Sequence, residues 1–86
     1  MKSIWKFSLS YGPRSVVEIP SDAEVLSVQE QAGIIQLWAL VDPERPTVER
    51  VFSVLGTGWS LDDEPGKYTG TVVVGMFVWH IFEVTG

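Results

Sequence analysis

The chain has 86 residues, 11 of them acidic against six basic, for a net charge of −5. One hydrophobic core fits that length, so residues 1–86 are expected to form a single domain, and the acidic balance excludes general binding to a nucleic-acid polymer, which needs many Lys and Arg against phosphate. The absence of cysteine excludes disulfides, thiolate metal sites and cysteine nucleophiles together, and suits a reducing compartment.

Short apolar and β-branched runs alternate with turn residues, the pattern of an all-β domain. Ile4 to Leu9 sets Trp5, Phe7 and Leu9 against Lys6 and Ser8. Tyr11-Gly12-Pro13 punctuates the chain, and Ser15 to Ile19 is a short run stopped by Pro20. After the Ser21-Asp22 turn, Glu24 to Gln31 places Leu26 and Val28 on one face. Ala32-Gly33 reads as a tight hairpin connection into Ile34 to Val41, whose nearly continuous apolar character marks a central strand.

Asp42-Pro43-Glu44-Arg45-Pro46 ends that strand. Residues 47–55 fit both periods: Val48, Val51, Phe52 and Leu55 at helical spacing, and Val48, Phe52 and Val54 at strand spacing, with Thr, Val and Phe favouring the strand. Gly56-Thr57-Gly58 closes the segment, residues 61–67 form an acidic surface loop, and Tyr68 to Val74 and Phe77 to Val84 make a final pair around Gly75. The run Val72 to Phe82 is apolar on both faces, which predicts cover on both sides and hence self-association through the C-terminal strands. A small domain without disulfide or metal staples points the same way. The expected architecture is a partly open barrel or sandwich of about six or seven strands, oligomeric.

No longer apolar run approaches the roughly 20 residues of a bilayer span, and Met1-Lys2-Ser3-Ile4-Trp5-Lys6 does not read as a signal peptide, so no membrane association is expected. Little in the chain points to catalysis. His80 is the only histidine and shares a strand face with Val78 and Phe82, where a packed ring with satisfied nitrogens is the expected state. Asp62, Asp63 and Glu64 lack the alternating ligand spacing of a calcium loop, and no metal or cofactor is expected. Gly56, Thr57 and Gly58 can form a tight turn whose amides and hydroxyl meet an anion. Arg50, on a face with Val48, Phe52 and Val54, is either snorkelling, ion-paired internally or held for a phosphate. Trp59 beside the glycine turn, or Trp38, is placed to stack a planar base.

The boxes Ala23-Glu24-Val25-Leu26-Ser27-Val28-Gln29, Leu37-Trp38-Ala39-Leu40-Val41-Asp42-Pro43, Gly56-Thr57-Gly58 and Phe77-Val78-Trp79-His80-Ile81-Phe82-Glu83 resemble a family of short phage and prophage proteins carrying a domain of unknown function. The resemblance implies a phage-encoded protein acting in the cytoplasm of the bacterial host against its defences. One form this takes in small phage proteins is an oligomeric sponge that sequesters a cyclic nucleotide signal of host immunity. Residues and resemblance together give the expectation of a non-enzymatic homo-oligomer binding a small nucleotide ligand through Arg50, Gly56, Thr57, Gly58, Trp59 and Trp38. A protein-interaction or virion-associated structural protein is the alternative.

Overall fold

The computed structural model describes residues 1–84 and contains seven strands: β1 (Ser3–Leu9), β2 (Gly12–Pro20), β3 (Glu24–Gln31), β4 (Ile34–Val41), β5 (Thr47–Gly56), β6 (Lys67–Val74) and β7 (Phe77–Val84). They form two antiparallel sheets, β1-β4-β3 and β2-β5-β7-β6, packed as an open sandwich instead of a closed barrel. The segment 47–55, which fitted both periods, is strand, in keeping with its β-branched and aromatic content.

Inward residues of β4, Ile35, Leu37, Ala39 and Val41, meet Phe52 and Val54 of β5, Ile19 of β2 and Ile81 of β7 in one buried cluster. The strand β4 is central in its sheet, as its apolar run predicts, and it is apolar outward too, at Ile34, Trp38 and Leu40. Ala32 and Gly33 both have positive φ, the two-residue turn that matches strand twist. The β6–β7 hairpin turns instead on Gly75 (φ 60°) followed by Met76.

The C-terminal strand is not an edge. It lies between β5 and β6, so both of its hydrogen-bonding sides are taken. Since β5 and β6 are each antiparallel to β7, they run parallel to one another. The connection 57–66 must therefore travel back from the Gly56–Trp79 end of the sheet to the Lys67–Glu83 end. Its Leu61 shares a pocket with Leu55, His80 and Phe82 of the outer face. Part of the cover that the apolar β7 run demanded thus comes from the chain's own crossover.

The sheets approach closely where β6 meets β3. A Cβ on Gly70 would collide with a methyl of Val28 across the sandwich. Gly70→Ala is therefore expected to cost about 1–3 kcal/mol in urea denaturation, and Val28→Ala to recover part of that loss in the double variant by removing the obstructing methyls. Simple additivity of the two losses would refute the contact.

Candidate functional site

The residues expected to act together are distributed over three places. Arg50 and Gly56 lie six residues apart on β5, about 20 Å along an extended strand. Trp38 is on the outward face of the other sheet, directly opposite Lys6 and Ser27. Only Gly56, Thr57, Gly58 and Trp59 stay together.

Arg50 is committed internally. Its Nε and Nη2 donate to the two carboxylate oxygens of Glu83 at 2.6 and 2.7 Å, and Nη1 donates to the carbonyl of Ala23 at 2.6 Å. Of the readings open in the sequence, the ion pair is the one observed. Its hydrogen bonds to Glu83 hold the guanidinium above its ordinary pKa, and desolvation pulls the other way. A pKa raised from an already high value keeps the guanidinium charged, so its own contribution is lost only as pH rises beyond the alkaline range.

The glycine turn also differs from an anion cradle. The Thr57 amide donates to the Val78 carbonyl at 3.1 Å and the Trp59 amide to the Gly56 carbonyl at 3.2 Å, so neither is open to a phosphate. The Thr57 hydroxyl is 2.7 Å from His80 Nε2 and 3.2 Å from the Val78 carbonyl. On the other side of the ring, Nδ1 is 3.3 Å from Thr71 Oγ1, which is 2.6 Å from the Tyr68 hydroxyl. One tautomer satisfies every contact. Tyr68 donates to Thr71, Thr71 to Nδ1, Nε2–H to Thr57, and Thr57 to the carbonyl. His80 is thus the packed ring with satisfied nitrogens that its strand face predicts. Its two side-chain partners come from a turn and from β6, and their convergence depends on the register Thr71↔His80 and Leu55↔His80, which no local pattern reveals.

On the opposite, inward face of β7, at the same end, lies an aromatic group. Trp79 meets Tyr11 at 4.5 Å and Trp59 at 5.4 Å between ring centroids, the indoles almost perpendicular. Gly56 makes this possible: a Cβ there would lie 2.6 Å from Trp59 Nε1. Two clefts adjoin the turn. One of about 400 Å³ runs between Gly56, Thr57 and Trp59 on one side and Met76, Phe77 and Val78 of the β6–β7 hairpin on the other. The second, about 240 Å³, is bounded by Thr57, Trp59, Leu55, Leu61, His80 and Phe82. Trp59 is 48% and Phe77 68% exposed, so both present free ring surface. Among the described residues no Lys or Arg lines either cleft. The arrangement can grip a flat apolar group by its faces, with hydroxyl and imidazole edges alongside.

Arg50→Lys keeps a charge but loses the fork, and is expected to lower stability by about 1–3 kcal/mol at neutral pH. A lysine paired with Glu83 contributes only while protonated. The variant should therefore weaken further as pH rises through about 10, while the wild type keeps its guanidinium contribution there. Parallel stability–pH curves from urea titrations would contradict the fork.

No curated protein and no solved structure matches the chain. The model of one family, described as Domain of unknown function (DUF7352), matches residues 1–86, and the chain belongs to that family.

Proposed function

We propose that the chain is a non-enzymatic binder of a small planar ligand, a nucleotide held by its base. On the resemblance to short phage proteins, a phage would use it in the host cytoplasm to sequester a cyclic nucleotide signal of host defence. The observation that carries this reading is the cleft of about 400 Å³ between the exposed rings of Trp59 and Phe77, floored by a glycine that keeps the indole in place. That volume falls within the range of small-molecule sites. The non-enzymatic part is supported by the hydrogen bonding at Thr57, whose proton, in the tautomer that satisfies every contact, goes to a carbonyl and not to the imidazole. Arg50 and Trp38 drop out of the site, the first through its ion pair with Glu83 and the second through its place on the other sheet.

A second reading is favoured by one observation. Met76 is 95% exposed at the hairpin tip beside Phe77, so the same rim is available to a protein partner.

Native mass spectrometry of the protein with a panel of cyclic di- and trinucleotides tests the first reading, with intact ligand retained as the expected result. Trp59→Ala should weaken retention roughly 5- to 150-fold, the equivalent of one lost base stack. Gly56→Ala, which displaces the indole without deleting it, should weaken it in the same direction. With a net charge of −5 and no cation lining the cleft, added salt should leave binding unchanged or tighten it, the opposite of phosphate-led recognition. Bare protein across the whole panel would transfer the reading to a protein partner, and a converted ligand would overturn the non-enzymatic claim.

A further inference from the structure

Four strands form the edges of the two sheets: β1 and β3 in one, β2 and β6 in the other. An exposed edge offers a row of unpaired N–H and C=O groups to any passing strand, and natural sheets interrupt such rows with bulges, prolines or charges. Three of the four edges here are interrupted. The β2 edge carries Pro13, Pro20 and a register shift between Gly12 and Ser15. A shift between Val25 and Ser27 breaks the β3 edge, and one between Tyr68 and Gly70 breaks the β6 edge. Only β1 runs in unbroken register with its neighbour, from Ser3↔Val41 to Leu9↔Ile35, with no proline and a single charge, Lys6.

The β1 strand is also undercovered. Trp5 and Phe7 are directly opposite Ala39 and Leu37, on the side that faces the core, yet Trp5 is 39% exposed and Phe7 is only partly buried. On its outward face Ile4 is 60% exposed. Cover increases along the strand toward Leu9, where the chain turns into β2, so the open stretch is Ser3 to Phe7.

From these observations we propose that β1 pairs antiparallel with β1 of a second copy, joining two three-stranded sheets into one continuous six-stranded sheet. The partner is a second copy because the edge is complementary to itself about Trp5. For both cores to lie on the same side, residues on the same face must stand opposite one another. The allowed two-fold centres are then Trp5, Lys6 or Phe7. Centring on Lys6 sets like charges directly opposite, which is unfavourable. Centring on Phe7 brings Trp5 against Leu9, at the end already covered. Centring on Trp5 places Trp5 against its own copy, Ile4 against Lys6 and Ser3 against Phe7. The half-covered indole then gains an aromatic partner, and Lys6, which in the single chain donates to Gln31 Oε1 at 2.8 Å, stands opposite Ile4. This interface is independent of the ligand cleft and uses β1, not the C-terminal strands.

Sedimentation of the full chain over a range of concentrations, with amide hydrogen exchange on β1, tests the proposal. The expected result is a concentration-dependent dimer in which β1 amides gain protection as the dimer fills. Ile4→Lys and Ile4→Glu discriminate the register, because they differ mainly in sign and sit on an exposed position that leaves the monomer core untouched. Ile4→Lys, facing Lys6 of the second copy, should raise the dimer dissociation constant at least about tenfold relative to Ile4→Glu, which faces the same lysine with the opposite charge. A monomer throughout the micromolar range, or a dimer whose β1 amides exchange as fast as in the monomer, overturns the pairing. Equal effects of the two substitutions overturn the Trp5-centred register.

Discussion

The fold depends on a three-way clamp at one end of the sandwich. Arg50 enters from β5 on the inward face, beside Val17 and in line with Phe52, where a guanidinium would carry a heavy desolvation penalty if unpaired. Glu83 on β7 takes two of its donors, and the Ala23 carbonyl, where the chain passes from one sheet to the other, takes a third. One side chain thereby ties two strands of the four-stranded sheet to the start of β3 in the other. The neighbouring edges are adapted to it. The bulges at Val25/Ser27 and Tyr68/Gly70 both lie beside the clamp, and the seam there opens into a cleft of about 420 Å³ with Arg50 and Glu83 among its walls. Bulges bend and twist an edge, so the irregularity that makes room for the clamp also disqualifies β3 and β6 as templates for pairing.

The opposite end of the sandwich is closed without charge. Tyr11, Trp59 and Trp79 come from three separate parts of the chain and meet through ring edges, with Gly56 supplying the room. Separation of the two ends governs the functional reading. A single strand, β5, carries Arg50 at the polar end and Gly56 at the aromatic end, so a ligand held at the aromatic cleft receives no help from the guanidinium. On the proposed reading, recognition at that cleft would rest on faces and edges of rings, favouring a flat ligand over one held chiefly by its phosphates.

Much of this was legible in the chain. Seven strands, their turns and the central place of β4 follow from alternation, β-branched content and the positions of Gly and Pro. Ala32-Gly33 and Gly75 mark hairpins because positive φ is required there. Periodicity also put Arg50 on an inward face, but it could not name Glu83 as its partner, since the pair is 33 residues apart and joined only by the β5–β7 register. The same limit hid the Tyr68–Thr71–His80–Thr57 strip. The apolar run of β7 predicts cover on both sides, but the crossover 57–66, polar and acidic in composition, gives no sign that its Leu61 lines one cleft with Leu55 and Phe82. Composition reports what a segment contains, while cover depends on where topology sends it.

That crossover also gives the outer face of the four-stranded sheet a cover that the other sheet lacks. In the four-stranded sheet, the parallel relation of β5 and β6 obliges a long connection to return across the middle, and Leu55 is buried although it points outward. The three-stranded sheet is built from β1 and the β3–β4 hairpin, and its order requires no such return. Its outward face has no such segment, with Ile4 60% exposed and Trp38 and Leu40 half-buried, and its β1 edge runs in unbroken register. The clamp bends the β3 and β6 edges at one seam and the crossover covers part of the outer face of the four-stranded sheet, so β1 is the edge that neither of them reaches.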